Sequence, residues 1–324
     1  MVVLTISIED ADSGIRLDRW FRRHFPTLPH GRLEKLLRSG QIRIDGARVR
    51  ANKRLEAGQL VRVPPLRDRC AACKPSPKVD RQEAEAIRRC VLYRDGDTIV
   101  INKPPGLAVQ GGSRLSRHLD GMLDALKFDG AERPKLVHRL DKDTSGALVL
   151  ARHTKSAARL ATAFRGRLVQ KLYWALVVGV PAERHGSIDV SLDKKPSRGR
   201  EKVTPAEDGR SALTHFYLVE RAGEQAAWLA LEPKTGRTHQ LRAHLASIGV
   251  PIQGDGKYGG RAAFLEGNTV APRLHLHARE ISFPDARGAI VRVVAPLPEH
   301  MADTWTFFGF DPNYDANPFG GIAA

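Results

Sequence analysis

The amino-acid sequence predicts an α+β fold in two domains, and three observations carry that prediction. The first is charge. The chain of 324 residues holds 52 Lys/Arg against 36 Asp/Glu, and between Arg16 and Arg69 fifteen basic side chains meet only five acidic ones. A net +10 therefore sits between these two residues, against +16 for the whole chain, beside two short helical patterns and a hairpin. The second is apolar patterning further on, where short buried-strand runs alternate with turns and with one amphipathic helix pattern. The third is the stretch 64–80, with four prolines and few large apolar residues, through which no helix can run. These place a small αβ domain at 14–64, a linker at 65–88, a larger sheet-and-helix domain at 89–300 and a loosely held tail at 301–324.

Within the first domain, Leu17, Trp20 and Phe21 form one helical face, and Leu33, Leu36 and Leu37 another. Arg32, Lys35 and Arg38 fall on the opposite side of the second helix, and Gly40 stops it. Gln41–Arg50 reads as a hairpin turning at Asp45-Gly46, and Leu60–Val63 as a further strand. The density of Arg, including Arg16 and Arg43, favours contact with phosphate over a merely solvated face. A polyanionic partner suits the overall charge. A membrane-spanning helix is not expected, since no run approaches about 18 apolar residues. The opening Met1–Ile8 alternates like a strand and lacks a basic start, so it is not read as a signal peptide and a cytoplasmic location is expected. Cys70-x-x-Cys73 has metal-ligand spacing, with Cys90 a candidate third ligand, but without a second pair the three are read as reduced thiols and no metal is expected.

In the larger domain, Val91–Tyr93 and Thr98–Ile101 read as strand, turn, strand, and Asn102-Lys103-Pro104-Pro105-Gly106 breaks the second. Leu136-Val137 and Ala147–Leu150 read as two buried strands around a polar loop that carries His138, Arg139, Asp141, Asp143, Thr144 and Ser145 and closes at Gly146. A loop mounted between buried strands is held as a catalytic loop must be. Thr154 is placed as the cap of a helix with Ala157, Leu160, Ala161, Phe164 and Leu168 on one face. Lys171–Val178 alternates as a strand, with Lys171, Tyr173, Ala175 and Val177 on one side. Asp193–Arg210 reads as a long basic loop. Ser211–Val219 and Trp228–Glu232 are strands, and a turn at Thr235-Gly236 leads into a helix with Leu241, Leu245 and Ile248 inward. Leu274–Ala278, Ile281–Phe283 and Ala289–Val294 close the domain as strands.

The run His138-Arg139-Leu140-Asp141 followed by Thr144-Ser145-Gly146 resembles the signature of the RluA class of pseudouridine synthases. It is not the protein-kinase loop, which reads His-Arg-Asp and requires a Gly-rich loop and Asp-Phe-Gly. Asn102–Gly106, Lys171-x-Tyr173, Arg237-Thr-His-Gln-Leu-Arg242 and Pro251–Gly259 are similar to further segments of that class, and Val109-Gln-Gly-Gly112 looks most like its RluC branch. Arg16-Leu-Asp18, Leu33–Gly46 and Asn52–Val63 resemble the S4 RNA-binding domain.

The resemblance implies a mixed, mainly antiparallel sheet with flanking helices in the catalytic domain. It implies isomerisation of uridine in RNA, with 23S ribosomal RNA, free or in the assembling large subunit, as the expected partner and the enzyme working as a monomer. It makes Asp141 the reacting carboxylate, with Arg242 pairing it and Tyr173 stacking on the base. Arg139 would fill the gap left by the flipped nucleotide, and Leu241 would floor the pocket. His138, Lys171 and Thr144 would touch substrate, and Lys103 would support the loop without reacting. No cofactor is implied, since the isomerisation needs neither redox nor a group donor, and no dinucleotide or Walker motif is seen. Two rival readings remain: a synthase acting on other rRNA sites or tRNA, and an S4-type RNA-binding protein without activity.

Overall fold

In the computed structural model, which describes residues 3–25, 27–66, 80–111, 117–197, 200–267 and 269–319, the chain divides into two units, Met1–Lys78 and Val79–Ala324. The first unit joins two helices to a small sheet. Strands β1 (Leu4–Ser7), β2 (Arg43–Ile44), β3 (Ala47–Arg48) and β4 (Leu60–Val63) are ordered β1-β4-β2-β3, every pair antiparallel. Helix α1 (Leu17–His24) buries Leu17, Trp20 and Phe21, and α2 (His30–Arg38) buries Leu33 and Leu37 in the same core. The hairpin turns at Asp45 and Gly46, both with positive φ (49° and 78°), the geometry that matches strand twist in a two-residue turn. The unit starts before residue 14, because β1 pairs along β4 and Ile8 joins the core.

The second unit is organised by a ten-stranded sheet. Its main path runs β10 (His185–Asp189), β13 (Leu213–Ala222), β14 (Ala226–Pro233), β9 (Gln170–Val178), β15 (Leu276–Pro284), β8 (Ser145–Ala151), β6 (Thr98–Lys103) and β5 (Val91–Arg94). Strand β16 (Ile290–Val294) adds to β15, and β7 (Lys135–Leu136) to β8. All pairs are antiparallel except β8 with β15, so the sheet is mixed and mainly antiparallel. The period of two sorts each central strand between two cores. Leu148 and Leu150 meet α3 (Arg81–Arg89) and α4 (Leu119–Met122), while Ala147 and Val149 meet α5 (Thr154–Arg165).

Four expectations are corrected here. The linker does not extend to residue 88: α3 buries Ile87 in the core of the second unit. The stretch 193–210 is not a loop but is largely a hairpin of β11 (Leu192–Ser197) and β12 (Arg200–Pro205), pinned by buried Leu192 and Val203. The cap of α5 is His153, whose side chain accepts from Ser156 N–H, not Thr154. The described part of the expected tail, residues 301–319, is not loose. Helix α7 (Glu299–Phe308) buries Met301 and Trp305, and Trp305 and Phe310 pack on Trp174 and Trp228 of the sheet. Cys70 and Cys73 lie outside the described residues. Cys90 is half-buried with its thiol donating to Ala86 O, and burial pushes that thiol up.

Candidate active site

Asp141 sits on the loop between β7 and β8, and three anchors fix that loop. Gly146 lies where β8 runs parallel to β15, at φ 109°. A Cβ there would collide with the Ala278 backbone, so only glycine permits the close approach. Ser145 donates its hydroxyl to His277 Nδ1 (2.8 Å) while His277 Nε2–H donates to Ala295 O (3.1 Å). The ring is wholly buried, and burial pushes it down to about 3. Lys103 is the third anchor. Its buried Nζ donates to Pro104 O (2.8 Å), Leu107 O (2.9 Å) and Lys142 O (3.0 Å). The last carbonyl lies between the two loop carboxylates. Burial pulls the Lys103 ammonium down to about 7, against the pull of Asp143 and Asp141.

The loop faces an open cleft of about 520 Å³, with Asp141, Asp143, His239, Arg242, Asp255 and Lys257 among its walls. The far wall is the start of α6 (Gln240–Ser247) and the turn at 254–258. Gln240 fixes the approach to the helix: its Oε1 accepts from Arg237 N–H (3.0 Å) and Thr235 Oγ1 (2.7 Å), and its Nε2 donates to Leu213 O and Thr214 Oγ1. His239 is thereby held at φ 54°, left-handed backbone that a β-substituted residue seldom adopts.

Arg242 does not pair with Asp141, contrary to the expectation. Its guanidinium forks onto Asp255, Nε to Oδ2 at 2.8 Å and Nη2 to Oδ1 at 2.7 Å. Burial lowers the Arg242 pKa, but the Asp255 fork outweighs it and leaves it raised. Asp255 is buried and follows Gly254, whose φ of 80° and contact with the Arg273 carbonyl exclude any side chain. Asp141 instead faces His239, whose Nε2 stands 3.8 Å from Oδ2. Burial lowers the His239 pKa, Asp141 and Asp255 opposing and Arg242 and Lys257 reinforcing. From the sequence Asp255 stands only within the turn segment Pro251–Gly259, and His239 only within the crowded segment of Arg237, Arg242 and His244, where a metal role is not favoured because the two His lie at i, i+5 without an acidic partner. Only the glycines flanking Asp255 and the crowding of basic groups at 237–244 pointed there.

Of the other expected residues, Tyr173 on β9 is half-buried, and its hydroxyl is pushed well above its usual range by burial and by the Asp141 charge. His138 does not line the cleft. Its ring stacks on Phe164 (4.6 Å), Nε2 accepts from Val149 N–H (2.8 Å), and burial with Lys171 nearby pushes it down to about 3. In this position the neutral ring supports β8. Lys171 lies on the same side, lowered by burial and opposed by Glu232. Leu241 is in the core beneath α6, apart from the cleft lining. Thr144 is buried, and its hydroxyl finds no partner among the described residues. Arg139 is exposed.

In the first unit, Arg32, Lys35 and Arg38 are exposed along α2. Arg38, Arg16 and Arg50 line a second open cleft of about 490 Å³. Arg16 is held by Asp18 (2.6 Å). The Arg43 guanidinium ties the hairpin, donating to Gly40 O and Gly46 O, each at 3.0 Å. Among the described residues, no group of His, Cys, Asp and Glu is placed to hold a metal, and no helix is long and apolar enough to cross a membrane.

Fold and cleft together gather motifs far apart in the chain around Asp141 on a mixed sheet. The family model for RNA pseudouridylate synthase matches residues 97–247. Ribosomal large subunit pseudouridine synthase C of Vibrio cholerae is 35% identical over 311 residues, covering 93% of this chain and 95% of its own. The protein of the same name from Escherichia coli is 34% identical, covering 92% and 94%. Among solved structures, human RNA Pseudouridylate Synthase Domain Containing 4 superposes with a TM-score of 0.58 at 30% identity, over 70% of this chain and 95% of that one. The chain belongs to the RluA family of RNA pseudouridine synthases, and it is an isomerase acting on RNA.

Proposed function

We propose that this enzyme converts specific uridines of 23S ribosomal RNA to pseudouridine, as a cytoplasmic monomer acting on free RNA or on the assembling large subunit. The observation that carries the mechanism is the placing of Asp141 in the cleft. It stands on a loop locked by Lys103, Ser145 and Gly146, facing His239 and Arg242. The reading of the substrate rests on the relatives named for the ribosomal large subunit.

The isomerisation breaks C1′–N1 and forms C1′–C5; the C5 proton leaves and N1 gains one. A single carboxylate beside the ribose serves, either by bonding C1′ or by taking a ribose proton. Arg242, neutralised by Asp255, shapes the field without binding Asp141 directly. Tyr173, kept protonated, offers a ring on which the base stacks, worth roughly 1–3 kcal/mol. The target base must leave its helix at a cost of about a few kcal/mol. Arg139, exposed at the loop, has the planar guanidinium to fill the gap. The first unit is proposed as an S4-like domain that grips folded RNA by shape and charge, chiefly through Arg32, Lys35 and Arg38. Pseudouridine mapping of total RNA from cells lacking the protein tests the proposal. Loss confined to large-subunit rRNA sites supports it, and loss confined to tRNA replaces the substrate.

A further inference from the structure

His239 carries more hydrogen-bonding constraint than a residue on a turn needs. Its Nδ1 meets two groups at once, Tyr258 Oη at 2.8 Å and Lys257 Nζ at 3.3 Å. An ammonium has protons to give and no lone pair to accept with. The tyrosine oxygen already receives Val203 N–H (3.2 Å) from β12, which leaves its own proton for the ring. The ammonium contact makes Nδ1 an acceptor, so the ring proton resides on Nε2 and the Tyr258 hydroxyl is placed to donate to Nδ1 as well. Nε2 is the atom that faces Asp141 Oδ2. The left-handed backbone at His239, imposed by the Gln240 network, is what turns the ring toward the loop. Strain of this kind persists where surrounding structure over-determines it, and such positions cluster at functional sites.

We propose that His239 is a positioning residue for Asp141: Tyr258 and Lys257 hold it as the Nε2–H tautomer, and that N–H takes one carboxylate oxygen so that the other is aimed at the ribose. The inference rests on Asp141 being the reacting group. The 3.8 Å gap is one small closure from a charge-assisted hydrogen bond, and such bonds at active sites commonly tighten when substrate binds. Tyr258 thereby also ties the hairpin β11–β12 to the reacting carboxylate, through Val203.

Two replacements separate this role from a structural one. Asn suits left-handed backbone but its amide ends near the position of Nδ1. Gln reaches the position of Nε2 and restores an N–H there. On an RNA that the wild-type enzyme modifies, His239→Asn is expected to lower kcat by about tenfold or more with KM little changed, the loss of one charge-assisted hydrogen bond. His239→Gln is expected to recover most of that loss. Ring nitrogen NMR of the wild-type protein, the signal assigned by its disappearance in His239→Gln, is expected to show Nε2 protonated and Nδ1 bare at neutral pH. Wild-type kcat in His239→Asn, Gln no better than Asn, or a proton on Nδ1 each overturns the proposal. Asp141→Asn run on the same RNA keeps the two readings apart: if that variant stays active, the assignment of Asp141 fails, and if it is dead while His239→Asn is unimpaired, only this inference fails.

Discussion

Asp255→Ala is the sharpest perturbation of the cleft. The Asp255 side chain is 1% exposed and that of Arg242 10%, and the two share two hydrogen bonds of 2.7 and 2.8 Å. Removing the carboxylate leaves a mostly buried guanidinium that cannot lose its proton and has lost its charged partner. An uncompensated buried charge costs about 3–5 kcal/mol. In a unit of this size each kcal/mol moves the midpoint of melting by about 2–4 °C, so a fall of roughly 6–20 °C is expected. The lower end applies if Arg242 swings to Asp141, which lines the same cleft. That rearrangement would occupy the carboxylate proposed to react, so activity is expected to fall in either case. Asp255→Asn, which keeps the shape and one acceptor but not the charge, should fall between wild type and Ala. Urea unfolding followed by single-turnover pseudouridine formation measures both effects. A stability loss below about 1 kcal/mol with full activity would refute the view that Asp255 is the partner on which Arg242 depends.

Three further expectations follow from the anchors and the basic helix. Lys103→Met removes the donor to three carbonyls, one of them between Asp141 and Asp143, and the resulting looseness of the loop should lower kcat by roughly 100-fold, read by steady-state kinetics beside a circular dichroism spectrum that stays native. His277, neutral in the fold with a pKa of about 3 against an ordinary 6.5, adds stability that is present above pH 6.5 and lost as pH falls toward 3; His277→Gln should flatten the stability–pH slope in that window by about 1.4 kcal/mol per pH unit, one proton's worth. Replacing Arg32, Lys35 and Arg38 by Gln should reduce the slope of log affinity against log salt by about 2–3, while kcat on bound RNA holds; an unchanged salt slope in filter binding would remove α2 from the RNA interface.

The strands were legible because alternation survives in them. Lys171–Val178 shows Ala175 and Val177 in one core and Leu172, Trp174 and Leu176 in another, as period two requires. The loop around Asp141 was legible because polar residues stand between two apolar runs. Partners across the fold were not. Arg242 and Asp255 are separated by a helix and a turn, and Gly254-Asp255-Gly256 reads locally as a turn alone. His138 belongs to a catalytic-looking run, yet its ring lies against Phe164, a fact of packing that spacing does not carry. The last helix was missed because its aromatic side chains gain meaning only against Trp174 and Trp228, which lie far earlier in the chain. The hairpin at 192–205 hid behind its charge, since among its described side chains the buried apolar ones are Leu192 and Val203.

The central claim is that Asp141, and not its neighbour Asp143, performs the isomerisation. Both line the cleft, but only Asp141 faces His239 within 4 Å. The direct measurement is pseudouridine formation on a responsive RNA by Asp141→Asn and Asp143→Asn, with folding and RNA affinity recorded for each. Asp141→Asn is expected to lower turnover by at least about 100-fold while binding RNA and melting as wild type does, and Asp143→Asn is expected to remain active. Near-normal turnover in Asp141→Asn, with activity lost in Asp143→Asn, would contradict the assignment.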